Sequence, residues 1–316
     1  MLTVHEIAFR SGSKEEVLPG LLPDFPYIVS CSEVDQFAGR LVPWHWHKEV
    51  ELFYMERGTL EYNTPGGTCA FPAGSGGLLN ANILHMTRPQ GVEPVSQLLH
   101  IFDPVLIGGH PGSRIQQKYV TPVVTAPQVE LLPFYPDVPA HQEILHALAV
   151  SFQLAETDGA YEIRLRNLLS DIWRMMLPLA AARLAAPAGH GKSDDKLKQM
   201  MIYIHEHYAE KLSITALANA AFVSERACYR AFQDGLHMTP YAYLQGYRLQ
   251  KACHMLAHSR DSVTAISQAC GLGSSSYFGK IFREQLGCTP MDYRRKWQDS
   301  ASDRQEPDST PPQTAL

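Results

Sequence analysis

The sequence lacks any run of about 18 apolar residues, so it predicts no transmembrane helix and no membrane partner. Its six cysteines are scattered and form no CxxC pair, which indicates reduced thiols rather than a disulfide framework. The first ten residues mix His5, Glu6 and Arg10 with apolar residues, unlike a secretory signal peptide. These three features together predict a cytoplasmic location.

Positive charge is also scarce overall, since the chain has a formal net charge of −5. Residues 196–296 are the exception, because they hold 13 of the 27 Lys and Arg residues against only 7 of the 32 acidic ones. Binding to phosphate needs local positive charge rather than a basic whole chain. Any contact with nucleic acid is therefore expected in this C-terminal region.

At 316 residues and 45% apolar content, the chain is long enough for about two globular domains. Residues 1–135 contain short apolar runs between glycine- and proline-rich turns, which predicts a β-barrel or double-sheet sandwich. Residues 136–180 then show helical spacing of apolar residues and predict two helices that pack on this domain or on another subunit. Residues 181–195 are interpreted as a linker, and residues 297–316 as a disordered tail.

The region 196–296 contains one motif twice, about fifty residues apart. Each copy has a serine (Ser224, Ser274), a short amphipathic stretch, and a Thr-Pro-x-x-Tyr ending (Thr239 to Tyr243, Thr289 to Tyr293). A capping serine before an apolar stripe predicts a helix. Ser213 and Ser262 predict a preceding helix in each copy, so each copy is interpreted as a helix-turn-helix unit. Residues 241–258 form a predicted helix about 25 Å long between the two units, which could hold two recognition helices about one DNA turn, ~34 Å, apart.

The string from Gly271 through Ser276-Tyr277-Phe278 to Thr289-Pro290-x-x-Tyr293-Arg294 resembles the signature of AraC-type transcription regulators. The resemblance covers 196–296 and implies a seven-helix domain that contacts two adjacent major-groove segments. By position in the motifs, it assigns DNA binding to Arg226, Tyr229 and Arg230 in the first unit and to Ser275, Ser276, Gly279 and Lys280 in the second. His237 departs from the family pattern, which usually has glycine there.

The two arginines are the candidates for guanine contacts, because a guanidinium pairs bidentately with O6 and N7. Gly279 would permit close approach to the DNA, and the serines could contact phosphate. The resemblance further implies double-stranded promoter DNA as a partner, a homodimer with contacts in the helices of 136–180, and RNA polymerase if the protein is an activator.

A second cluster, His45-x-His47-x₃-Glu51, has the spacing of the first motif of cupin barrels, and His85 is a candidate fourth group. On one strand, alternate residues would point into the barrel together. Two imidazoles and a carboxylate suit Fe, Mn, Zn or Ni. A metal-free effector pocket is the other interpretation, and it is preferred because AraC-type regulators often carry a cupin-like sensor domain. Trp44 and Trp46 would then stack on a sugar or another ring-shaped effector, or simply pack.

The sequence therefore predicts an α+β protein: a cupin-like β-barrel followed by helices, then an all-α double helix-turn-helix domain. The predicted function is a sequence-specific transcription regulator that responds to a small molecule, without catalytic residues and without a cofactor. The alternative is a cupin-type metal-dependent enzyme or a metal sensor fused to a DNA-binding domain. The effector pocket is predicted to comprise Trp44, His45, Trp46, His47, Glu51 and His85.

Overall fold

The computed structural model describes residues 2–10, 14–185, 194–236 and 238–303. The chain divides into two compact units, the first formed by residues up to 206 together with 213–240, and the second by 207–212 together with the residues from 241 onward. The division thus falls inside the predicted DNA-binding region. Most of the predicted linker (186–193), most of the tail (304–316) and His237 lie outside the described residues.

The first unit begins with a β-rich region, as predicted. Its strands are β1 (Leu2–Val4), β2 (Ala8–Phe9), β3 (Glu16–Val17), β4 (Tyr27–Ser32), β5 (Val42–His45), β6 (Val50–Arg57), β7 (Thr59–Thr64), β8 (Gly67–Pro72), β9 (Gly76–Leu79), β10 (His85–Pro89), β11 (Ser96–Phe102) and β12 (Leu131–Phe134). A six-stranded sheet has the order β1-β4-β11-β6-β9-β12, and a four-stranded sheet has the order β5-β10-β7-β8. Strands β2 and β3 form a separate pair.

The six-stranded sheet is apolar on both faces, which is clearest along β6. Successive side chains of a strand point to opposite faces, and Val50 and Leu52 on one face are as fully buried as Phe53 and Met55 on the other. Phe53 faces the four-stranded sheet, where its ring stacks on Tyr62 with centroids 4.3 Å apart. An apolar core therefore fills the space between the two sheets.

Helices cover the other face of the six-stranded sheet. Leu148, Leu165 and Trp173 are buried there in a second apolar core with Leu52. The short helices between β11 and β12 were not predicted, because 1–135 was interpreted as β-rich throughout. The helices of this region are α1 (Val105–Gly108), a π-helical turn (Gln116–Val120), α2 (Thr121–Val124), α3 (Pro139–Ser151) and α4 (Tyr161–Leu184).

Helix α4 extends four residues into the segment predicted as a linker. The reason lies in the composition of its end, because Ala180, Ala181 and Ala182 have the highest helix propensity of any residue type. Of the two alternatives for 136–180, packing on the β domain is the one that the buried faces of α3 and α4 make.

Seven further helices follow in the described residues, in agreement with the number that the resemblance implies. They are α5 (Asp194–His207), α6 (Ile214–Ala220), α7 (Glu225–Leu236), α8 (Pro240–His258), α9 (Val263–Ala269), α10 (Ser275–Leu286) and α11 (Pro290–Asp303). Helix α11 continues to Asp303, so the prediction of a disordered tail from residue 297 is wrong for its first seven residues. Among the described residues, no helix is both long and apolar enough to cross a membrane.

Asn80 holds a loop of the first unit in place through buried hydrogen bonds. Its Nδ2 donates to the carbonyls of Val123 at 2.9 Å and Val129 at 2.7 Å, and its Oδ1 accepts from Ala81 N. We expect Asn80→Ala to lower the free energy of unfolding by about 2–4 kcal/mol, because two buried carbonyls lose their donor. Urea unfolding would measure the change. Asn167→Ala, at an exposed position of α4, is the control; an equal loss in both variants would contradict the assignment.

His100 predicts a pH dependence of stability. It is fully buried, its Nδ1 lies 2.6 Å from the Tyr27 hydroxyl, and its Nε2 lies 2.8 Å from Ser151 Oγ. Burial lowers the pKa of His100 to about 3, whereas an unfolded histidine titrates near 6.5. Its contribution to stability is therefore complete above pH 6.5 and is lost as the pH falls toward 3.

We expect His100→Gln to flatten the stability profile between pH 6.5 and 4 by up to about 1.4 kcal/mol per pH unit, the value for one proton. Urea unfolding at a series of pH values would show this change of slope. His146→Gln, at an exposed position, should leave the slope unchanged. Parallel profiles for His100→Gln and the unmodified chain would refute the prediction.

Candidate DNA-reading helices and sensor site

The first helix-turn-helix unit forms as predicted because serines begin both of its helices. Ser213 Oγ accepts a hydrogen bond from Ala216 N at 3.1 Å at the start of α6. Ser224 Oγ accepts from Ala227 N at 3.2 Å at the start of α7. Phe222, in the turn between the helices, has a positive φ of 54° and is 89% exposed. Local capping therefore sets both helix starts of this unit.

Helix α7 has one buried and one exposed face. Cys228 and Phe232 are buried, while Arg226, Tyr229 and Arg230 are exposed, as the sequence predicts. The buried face lies close to α5, since a Cβ on Gly235 would meet Leu197 Cδ2 at 2.4 Å. Glu225 lies in the first turn of the helix, where a carboxylate favours the positive end of the helix dipole, and accepts a hydrogen bond from Thr215.

The second helix-turn-helix unit is built in the same way. Ser262 Oγ accepts from Ala265 N, and Ser274 Oγ accepts from Tyr277 N, so the predicted caps of α9 and α10 are confirmed. Gly271 in the turn has a φ of 65°. A Cβ there would lie 2.7 Å from the Ala209 carbonyl oxygen. Glycine is thus required at this turn both by conformation and by space.

The outer face of α10 differs in chemistry from that of α7. Ser275, Ser276 and Lys280 are exposed, and Lys280 Nζ lies 3.9 Å from the exposed Glu284 carboxylate. Gly279 has no atom within 4 Å of where a Cβ would stand, which leaves a shallow place in this face. The predicted inward residues Phe278, Ile281 and Phe282 are buried. The two units therefore share a scaffold but offer different groups to a ligand.

The predicted sensor residues His45, His47 and His85 come together, although not on one strand. Strand β5 ends at His45, His47 lies in the following turn, and Glu51 lies on β6. The prediction that these three motif residues alternate along one strand is therefore wrong, because the chain turns at residues 47–49. His85 joins them because β10 pairs with β5 in a register that sets His85 opposite His45.

The cluster is buried and contains interacting charges. Burial lowers the pKa of His45 to about 3 and that of His85 well below its usual value. Burial also acts to lower the pKa of His47, but the neighbouring Glu51 and Glu16 carboxylates outweigh it and raise that pKa to about 9. Burial would raise the pKa of Glu51, yet His47 and the other partners hold it below its ordinary value. His47 and Glu51 thus form a buried charged pair.

A cavity of about 310 Å³ opens beside this cluster. His45, Glu51 and His85 line it on the inner side, and the N-terminal residues 2–8 and 16–20 line it on the other. Among the described residues, the lining does not include Trp44, Trp46 or His47. Both tryptophans are buried instead. The argument that they would stack on a sugar therefore loses its geometric basis.

Sequence reasoning missed several residues of this cavity. Glu16 lies with its Oε2 3.6 Å from His45 Nε2, and burial raises its pKa to about 7. The Tyr62 hydroxyl donates to Glu51 Oε1 at 2.8 Å and lies 2.7 Å from Gln97 Oε1. Glu16 begins the two-residue strand β3, 29 residues before His45, so no local pattern could have linked the two. Tyr62 and Gln97 come close to Glu51 only because of the register between strands, which the sequence alone does not give.

Helix α5 contacts residues next to the cluster. Lys198 Nζ donates to the Asn82 carbonyl oxygen at 2.8 Å and lies 5.1 Å from the centre of the Trp46 ring. The Asn82 N–H in turn donates to the His47 carbonyl oxygen at 2.8 Å. The first helix of the C-terminal region is thus joined by two hydrogen bonds to the turn that carries His47.

Two family models match this chain. The model of the AraC-like ligand-binding domain matches residues 28–172, and a helix-turn-helix domain model matches residues 217–296. The HTH-type transcriptional regulator YdeC of Bacillus subtilis (strain 168), itself described as uncharacterized, is 25% identical over 270 residues, which cover 84% of this chain and 91% of YdeC. The transcriptional activator RhaS of Salmonella schwarzengrund is 36% identical over 125 residues, 40% of this chain and 45% of RhaS.

Two solved structures are similar to about a third of this chain each. An AraC-type regulator from Chromobacterium violaceum is 28% identical, with a TM-score of 0.33, over 34% of this chain and 96% of that one. The DNA-binding domain of AdpA with its target DNA is 29% identical, with a TM-score of 0.32, over 35% of this chain and 98% of that one. From the two family models and the sequence relatives YdeC and RhaS, the chain belongs to the AraC family of transcription regulators, with an N-terminal ligand-binding domain and a C-terminal helix-turn-helix DNA-binding region.

Proposed function

We propose that this regulator recognises promoter DNA through the exposed faces of α7 and α10. The observation that carries the proposal is the pair Arg226 and Arg230, one turn apart on α7 and both exposed beside Tyr229. Two guanidinium groups on one helical face match the spacing of bases along a major groove and can each bind a guanine edge.

Helix α10 is proposed to contribute less to base selection. A lysine is a single point charge, and serine hydroxyls pair with either bases or phosphates. Ser275, Ser276 and Lys280 would therefore position the protein on the backbone, with Gly279 letting the helix approach closely. Both units would bind DNA, but α7 would supply most of the specificity.

The effector is proposed to bind in the cavity beside His45, Glu51 and His85. Its volume of about 310 Å³ lies at the lower end of ligand pockets, so a small molecule is favoured over a long lipid or a peptide. The walls combine apolar side chains such as Leu18 and Ile101 with a polar end. A compact molecule with an apolar body and one polar or acidic end would fit this distribution. The sugar that the tryptophans suggested is less favoured.

We further propose a homodimer that acts in the cytoplasm, since promoter DNA is the partner. The relatives named here are transcription regulators rather than enzymes, and we propose that this chain is not an enzyme. Dimerisation would place four recognition helices on repeated half-sites. If the protein activates, RNA polymerase is the expected further partner. The competing proposal, a metal-dependent enzyme or metal sensor, draws support from the histidine cluster.

The DNA proposal predicts distinct effects for the two helices. We expect Arg230→Ala to weaken binding to the cognate duplex by about 5- to 150-fold, the equivalent of 1–3 kcal/mol for a bidentate base contact. Binding to a scrambled duplex should weaken much less. Lys280→Ala should weaken both duplexes alike and lower the salt dependence by about one phosphate contact. Fluorescence anisotropy at several salt concentrations, with a duplex selected from a random pool, measures all three quantities.

Arg174→Ala on α4 is the matched control, because this arginine is exposed but lies outside both helix-turn-helix units. It should bind both duplexes as the unmodified protein does. If Arg226→Ala and Arg230→Ala both retain full discrimination between the duplexes, α7 is not the reading helix and the proposal fails.

Two glycines of the second helix-turn-helix unit provide a separate test. Gly271→Ala should lower the free energy of unfolding by about 1–3 kcal/mol, because its backbone is left-handed and the Cβ meets a carbonyl. Gly279→Ala should stabilise α10 by about 0.5–1 kcal/mol, as alanine does within helices, yet weaken DNA binding by blocking close approach. Thermal unfolding and anisotropy separate the two effects. Unchanged DNA affinity in Gly279→Ala would argue against a close approach of α10.

A further inference from the structure

Three imidazoles meet at the inner end of the sensor cavity. His45, His47 and His85 are each buried, with at most 3% of their surface exposed. One ring nitrogen from each lies within 4.8 Å of the others. Three buried imidazoles packed together leave the His47 Nε2 atom without a hydrogen-bond partner among the described residues, which is costly. The cluster therefore requires an explanation beyond packing.

The backbone orients all three rings in the same way. The Nδ1 atoms lie 2.7 Å from the Pro43 carbonyl for His45, 3.0 Å from the Glu49 carbonyl for His47, and 2.9 Å from the Ile83 carbonyl for His85. A carbonyl oxygen only accepts, so each Nδ1 carries the proton that is shared with it. In a neutral ring Nε2 then keeps a free lone pair, and His47 would give up its Nε2 proton when an ion binds, because a metal-binding imidazole must be deprotonated. Metal-binding histidines are held in this manner, with one ring nitrogen donating to a carbonyl and the other facing the ion.

His47 gives the clearest indication that the cluster binds a further group between its three rings. Its Nε2 lies 3.5 Å from Glu51 Oε2 and, among the described residues, has no hydrogen-bond partner of good geometry. His100, buried in the six-stranded sheet, is different, because both of its nitrogens are engaged by Tyr27 and Ser151. A buried imidazole in this fold can thus be satisfied by protein groups alone, and His47 is not.

Two carboxylates complete the donor set. Glu51 Oε1 accepts from Tyr62, which leaves Oε2 facing His47. Glu16 Oε2 faces His45 Nε2 at 3.6 Å. Three imidazoles with carboxylate oxygen are the ligands that suit zinc, iron, nickel and manganese in proteins. Buried carboxylates are costly without a cation, and a divalent ion would offset that cost.

We propose that His45, His47 and His85 bind one divalent transition-metal ion through their Nε2 atoms, with Glu51 as a fourth ligand. A metal–imidazole distance of about 2.1 Å allows two ring nitrogens to lie at most about 4.2 Å apart, so any pair near the 4.8 Å limit of this cluster must move closer when the ion binds. Because His45, Glu51 and His85 also line the cavity, an effector in it can reach the ion. This inference deepens, and rests on, the proposed role of the cavity as effector site.

The test uses the full chain after removal of metal with a chelator. Titration with Co²⁺ should give one equivalent bound and visible absorption bands of a nitrogen-coordinated ion, and Zn²⁺ should displace it with one-to-one stoichiometry in calorimetry. His85→Gln and His47→Gln should each weaken Co²⁺ binding by about 100-fold or more, beyond the effect of losing an outer partner. The exposed His146→Gln should bind as the unmodified chain does.

Circular dichroism and thermal unfolding without metal show whether each variant folds. The inference is overturned if the folded, unmodified chain binds no stoichiometric Co²⁺ or Zn²⁺, or if His146→Gln loses binding as strongly as His85→Gln does. DNA anisotropy on the same preparations separates this result from the proposed function. Absent metal binding with intact Arg230-dependent discrimination would remove only the metal centre. Stoichiometric metal binding without sequence-specific DNA binding would remove the regulator proposal instead.

Discussion

Both faces of the six-stranded sheet are apolar and must be shielded from water. This constraint determines much of the fold of the first compact unit. Val50 and Leu52 on one face of β6 are as buried as Phe53 and Met55 on the other. The smaller sheet covers one face and α1 to α4 cover the other. The apolar stripes of α3 and α4 are therefore already occupied by the sheet. A dimer contact through these helices would have to use their outer surface, where Ile163 is 65% exposed.

The space between the sheets is apolar at its centre and polar at one end. Phe53 and Tyr62 stack in the middle, while Glu51, two positions before Phe53 on the same face of β6, begins the polar end. This gradient along a single strand face places charged and imidazole groups where the cavity opens. A ligand in the cavity would contact mostly apolar surface, which supplies affinity. The few polar groups would fix its orientation.

The features that could be predicted from the sequence depend on residues that lie close to one another along the chain. The helix-turn-helix units depend on serine caps and on apolar residues at helical spacing, both of which lie within a few residues of each other, and the repeat doubled the signal. Gly271 was predictable for the same reason. The histidine cluster was predictable as a group from its spacing, although the turn at 47–49 was not.

The rest depended on contacts between distant parts of the chain. Glu16 reaches His45 only through the pairing of residues 14–16 with Trp46. The burial of Trp44 and Trp46 away from the cavity is set by packing, which periodicity does not reveal. The short helices at 105–124 form where the sheet needs cover, and α11 continues to Asp303 in a segment whose polar composition indicated disorder.

Two hydrogen bonds, from Lys198 to Asn82 and from Asn82 to His47, connect α5 to the turn beside the proposed effector cavity. Helix α5 is held at one side by this turn, and at the other it lies against α7 through Leu197 and Gly235. Coupling between two binding sites is reciprocal. Whatever a ligand in the cavity does to the affinity of α7 for a duplex, the duplex does in equal measure to the affinity of the cavity for that ligand. Occupied operators would then retain or release the effector differently from protein free in solution.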